Sequence, residues 1–74
     1  MIYLKVRVFG GKQNPSKAIN QGFRSAGITA EIRTKGAIHR IMFSKEHRDW
    51  RKTLNRALNG QLFALTQLKS PEHH

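Results

Sequence analysis

Residues 28–43, ITAEIRTKGAIHRIMF, read as a β-hairpin, and its register decides how the rest of the chain is arranged. Lys35-Gly36 supplies a two-residue turn, because a primed hairpin turn needs positive φ and glycine adopts it without a Cβ clash. With that loop Thr34 faces Ala37, and the opposed pairs run Arg33/Ile38, Ile32/His39, Glu31/Arg40, Ala30/Ile41, Thr29/Met42 and Ile28/Phe43. Side chains alternate between faces along a strand, so the pairs sort into two sets. Ile28, Ala30, Ile32, Ile41 and Phe43 form a core face. Thr29, Glu31, Arg33, Ile38, Arg40 and Met42 form a mixed, basic one. Glu31 directly across from Arg40 supports this register by roughly a few tenths of a kcal/mol.

Upstream, residues 2–9, IYLKVRVF, alternate without a break. Ile2, Leu4, Val6 and Val8 take one side of a half-buried strand, with Tyr3, Lys5, Arg7 and Phe9 on the other. Two cations between two aromatic rings suit phosphate attraction and base stacking, though the rings equally suit packing on a neighbouring side chain. Gly10-Gly11-Lys12-Gln13 is a loop that lacks the full Walker pattern, so it is read as a turn. Asn14 then caps a helix with Pro15 at its first position, running over residues 15–26. Ile19, Phe23 and Ala26 share one side of it with Ala18 and Gly22, and Gly27 ends it. Gly22 inside the helix costs about 1 kcal/mol relative to Ala and is read as allowing close approach to the sheet.

Downstream, Ser44 is the expected N-cap of a helix over residues 45–58, with Glu46 and Asp49 near its positive end. Trp50, Leu54, Ala57 and Leu58 form its apolar stripe. Arg48, Lys52 and Arg56 recur at i, i+4 and i+8 opposite, a solvated face or one offered to an anion. Asn59-Gly60 stops the helix, and GQLFALTQLK beyond it reads as a fourth strand, with Leu62, Ala64 and Leu68 against Phe63 and Leu65. The competing reading carries the helix on through Leu62, Leu65 and Leu68, giving β-α-β-β-α with a long C-terminal helix. The strand is preferred because helix, stop and strand then mirror the first half. Residues 70–74 read as a polar, disordered tail in which His73-His74 fit the remnant of an expression tag.

The expected order is therefore β-α-β-β-α-β, a ferredoxin-like α+β sandwich within a single basic domain of residues 1–69. In the strand order 4-1-3-2 the first and third strands are central. The open face then centres on Tyr3, Lys5, Arg7, Ile38, Arg40 and Met42, with Arg33 at the side.

Composition narrows the function classes. A chain of 74 residues lies near the lower limit for an unstapled core, so a large buried active site is not expected. It has no Cys, which excludes disulfides and thiolate zinc sites and suits a reducing cytoplasm. No apolar run approaches the ~20 residues of a membrane span, and the first residues enter a strand pattern without a signal-peptide core, so a soluble cytoplasmic protein is expected. Fourteen Lys and Arg against four acids give a formal net charge of +10. Phosphate backbones attract such a surface and release counterions on binding it.

In element order and in Ile2-Tyr3-Leu4 the chain resembles an RNA-recognition motif domain. The third-strand motif departs from that pattern: Lys35-Gly36 fits its opening, but Ala37 and His39 stand where stacking aromatics are expected. Gly36-Ala37-Ile38-His39 loosely resembles the Gly-Ser-His hairpin of HicA-type messenger-RNA-cleaving toxins, whose histidine is catalytic, with the spacing off by a residue and the serine missing. Neither resemblance assigns a family.

The sequence thus points to a nucleic-acid-binding protein, RNA or single-stranded DNA before duplex DNA, through Tyr3, Lys5, Arg7, Arg33, Arg40, Arg48, Lys52 and Arg56. The alternatives are a regulatory or inhibitor protein docking on an acidic protein surface, and a ribonuclease using His39 or His47 as general base. For His39 the structural alternative is a partly buried residue beside Ile32, and for His47 an exposed residue in the first helical turn. No metal, cofactor or paired catalytic carboxylates are expected.

Overall fold

Asn14 caps the first helix through its side chain, whose Oδ1 accepts from the Ser16 N–H at 3.1 Å and the Lys17 N–H at 3.4 Å. The structure, a computed structural model, describes residues 1–10, 14–59 and 61–69. The expected Gly11-Lys12-Gln13 loop, the Gly60 stop and the tail of residues 70–74 lie outside the described residues.

The uninterrupted alternation near the N-terminus forms β1, Ile2–Val8. After Asn14, Pro15 opens α1, Pro15–Ser25. Its end is closed by two reversed hydrogen bonds, Gly27 N–H to Arg24 O at 3.0 Å and Ile28 N–H to Phe23 O at 2.8 Å. Gly27 takes φ +76°, the left-handed geometry this stop requires. The hairpin follows as β2, Glu31–Lys35, and β3, Ile38–Phe43. The second helix, α2, is Trp50–Ala57, and β4 is Phe63–Leu68. The described residues form an α+β domain: four antiparallel strands in the order β2-β3-β1-β4, with two helices. Residues 63–68 pair with β1, so the long C-terminal helix does not form.

The hairpin register differs from the expected one by two residues. Glu31 lies opposite Met42, Arg33 opposite Arg40, Thr34 opposite His39 and Lys35 opposite Ile38, which leaves Gly36-Ala37 as the loop. Gly36 has φ +61°, and among the described residues no non-glycine residue has positive φ. A turn with positive φ only at its first central position is the II′ type, which takes Gly there. Lys35-Gly36 would instead have forced a lysine into the left-handed region or splayed the strands. Because the slip is an even number, every side chain keeps its face.

The second helix begins five residues later than expected. Lys45 to Asp49 supply no apolar residue for a helical turn to bury, and they form turns in which the His47 N–H donates to Ser44 O and the Arg48 N–H to Glu46 O. The helix starts where Trp50 can pack its ring 6.1 Å from Phe43. Asp49, not Ser44, precedes it, and makes no side-chain capping bond.

Leu4, Val6 and Val8 from β1, Ile41 and Phe43 from β3, Ile19 and Phe23 from α1, and Trp50, Leu54 and Leu58 make one core, closed by Ile28. Phe23 meets Phe43 edge to face at 5.4 Å. Phe63 and Leu65 pack against this core from β4. Both helices contribute to it on the same side of the sheet. The Cα extents of 30 × 29 × 15 Å fit one sheet layer and one helix layer, and no described helix covers the opposite sheet face. Gly22 approaches α2 rather than the sheet: a Cβ added there would lie 2.8 Å from the Ala57 Cβ.

Candidate nucleic-acid interface

The registers lay the helix-free face out as rows across the four strands. Leu68, Tyr3, Met42 and Glu31 form the first row, Thr66, Lys5, Arg40 and Arg33 the second, and Ala64, Arg7, Ile38 and Lys35 the third. Neighbouring strands stand ~4.8 Å apart, so the second row holds three cationic side chains on adjacent strands.

Five of the eight residues expected at the site therefore come together: Tyr3, Lys5, Arg7, Arg33 and Arg40. The expected Glu31/Arg40 pair does not form, because the two-residue slip moves them out of opposition. Glu31 turns instead to its neighbour on the same strand, accepting from Arg33 Nη2 at 3.1 Å and Nε at 3.4 Å through Oε1. Both side chains are well exposed, so the pair is worth little in stability. Arg7 lies with its guanidinium carbon 5.6 Å from the Phe9 ring centroid.

Sequence reasoning missed Lys35, which it had placed in the turn. The signal that finds it is glycine as the first residue of a II′ loop, which returns Lys35 to the strand. It also missed the contribution of β4, whose Ala64, Thr66 and Leu68 extend the face beyond β1.

Arg48, Lys52 and Arg56 do not join this group. Arg48 sits in the turn before α2, so the i, i+4, i+8 stripe is broken at its first member. Lys52 and Arg56 are exposed one helical turn apart on α2, on the side of the sheet that carries the helices.

His39 points away from the open face and is only 2 % exposed. Its partner across the ladder is Thr34, not Ile32, and its Nδ1 lies 2.8 Å from Thr34 Oγ1. Among the described residues the buried Nε2 has no hydrogen-bond partner. Burial pushes the imidazole below its ordinary pKa, since a charge there would lose its hydration. His47 is half-buried rather than exposed, lies ahead of the helix, and has its ring 6.4 Å from that of Phe43.

Among the described residues no group of three or more His, Asp or Glu could hold a metal ion. None of their helices is long and apolar enough to cross a membrane. No protein-family model matches the chain, and no curated protein matches it.

Proposed function

We propose that the chain is a ferredoxin-like domain that binds RNA or single-stranded DNA on the uncovered face of its sheet, in a cytoplasmic setting. The strand order β2-β3-β1-β4, with both helices on one side, supports the sandwich reading. The observation that carries the function is the row Lys5, Arg40 and Arg33, adjoined by Arg7 and Lys35 in the next row. A polyanion lying across these cations is drawn by their summed charge and releases its own counterions on binding. Tyr3 at one end of the array and Phe9, 59 % exposed, at the other offer ring faces to unpaired bases. A single strand can splay its bases on such a surface. A duplex keeps them stacked inside.

The test is affinity for single-stranded RNA, single-stranded DNA and duplex DNA across a salt series. Binding is expected to be strongest for the single strands, with log K falling steeply as log salt rises. No affinity for any of the three at low salt overturns the reading and favours docking on an acidic protein surface. The ribonuclease reading has less support at His39, whose burial on the helix side of the sheet keeps it from a substrate on the open face.

A further inference from the structure

Tyr3 and Phe9 belong to one continuous run of the chain and face the same side, with Lys5 and Arg7 between them. Phe9 lies one residue beyond β1 but keeps to the ladder, since its N–H donates to Leu62 O at 2.8 Å. The two rings sit in unlike surroundings. Tyr3 is flanked across the strands by Met42 and Leu68. Phe9 is bordered by Leu62, itself 77 % exposed, and by the Arg7 guanidinium. Six residues of extended chain separate them by about 20 Å.

From this we infer that the face carries two separate base-stacking stations, Tyr3 and Phe9, bridged by one single-stranded tract that runs along β1 with its intervening phosphates over Lys5 and Arg7. The inference rests on the function proposed above and adds the path and minimum length of the ligand. Stacked bases are ~3.4 Å apart, so bases on the two rings are never nearest neighbours. A fully stacked strand would need about six steps to cover the distance, and an unstacked one fewer. A trinucleotide reaches one ring at a time. An octanucleotide reaches both.

The experiment compares oligouridylates of three and eight nucleotides at low salt, using the wild-type protein, Phe9→Ala and Tyr3→Leu. Leucine keeps the apolar packing beside Met42 and Leu68 while removing the ring, and circular dichroism checks that each variant is folded. For the octamer each substitution is expected to weaken binding by about 5-fold or more, the loss of one stacked base. The trimer has two alternative sites whose binding constants add. At least one substitution should therefore leave its affinity within a factor of about two, the statistical weight of the weaker site. If either substitution leaves the octamer within about twofold of wild type, the two-station tract is wrong even though binding stands. If both substitutions weaken the trimer as much as the octamer, the rings act as one site and the inference is again overturned. If neither oligomer binds at all, the proposed function falls with it.

Discussion

Gly22 of α1 faces Ala57 of α2 so closely that a Cβ at position 22 would come within 2.8 Å of the Ala57 Cβ. By helix propensity alone Gly22→Ala should stabilise the protein by about 1 kcal/mol. Here the added methyl forces the helices apart, an overpacking cost of about 1–3 kcal/mol that cancels or outweighs the gain. Urea unfolding is expected to show Gly22→Ala no more stable than wild type. The double variant Gly22→Ala with Ala57→Gly should be more stable than the two single changes predict when summed. Strict additivity would show that the helices do not touch there.

His39 gives the stability a pH dependence of known sign. Its folded pKa lies below the unfolded value of 6.5, so the unfolded chain binds the proton more readily. The stability it supports is complete above about pH 6.5 and falls as pH drops from there toward the folded pKa. Urea titrations from pH 7.5 to 5 should show this loss in the wild type and a flatter profile in His39→Gln. A parallel profile in the variant would remove His39 as the source. Neither protein is expected to cleave RNA.

The turn residues test the hairpin register. Nothing lies within 4 Å of a Cβ added there, so any cost of Gly36→Ala comes from its φ of +61° rather than from a clash. The expected loss is about 1–2 kcal/mol. Ala37→Gly, at negative φ in the same turn, should cost less. Because Gly36 takes positive φ in either register, Lys35→Gly separates them: it should destabilise a strand residue paired with Ile38, and stabilisation in urea unfolding would return the turn to Lys35-Gly36.

The two faces of the molecule are separable by substitution. Arg7→Ala and Arg40→Ala should each weaken binding of single-stranded RNA and lower the salt slope by about one unit, and Tyr3→Ala should cost about 1–3 kcal/mol with little change in slope. Arg48→Ala and Lys52→Ala, on the helix side, should matter less. Loss of binding in the helix-side variants alone would make α2 the reader.

How far the fold could be read from the sequence depended on how local the determining physics is. Asn14-Pro15 and Gly27 bound α1 because capping is settled within a few residues. Unbroken alternation in residues 2–9 gave both faces of β1. The faces of the hairpin also followed, since an error of two residues leaves parity unchanged, but the pairing partners did not. Gly36-Ala37 makes the turn because type II′ asks for positive φ at the glycine alone, a local signal that the Lys35-Gly36 reading passes over. The start of α2 was misread because Ser44 resembles a cap, whereas the packing of Trp50 on Phe43 decides. That contact is tertiary. For the same reason Arg48 seemed to share a stripe with Lys52 and Arg56.

The central position of β1 also bears on how the chain assembles. Tyr3 pairs with Met42 and Leu68, so every ladder bond of β1 joins distant parts of the chain, whereas β2 and β3 close a local hairpin. Such non-local pairing is slow, because loop closure must be met before the contacts form. Until then Ile2–Val8 is an unpaired, β-prone apolar segment of the kind that self-associates. Lys5 and Arg7 interrupt it as gatekeepers, so the same two charges that later meet phosphate first keep the unassembled strands of different molecules apart. Lys5→Thr should consequently lower the refolding yield at high protein concentration more than at low.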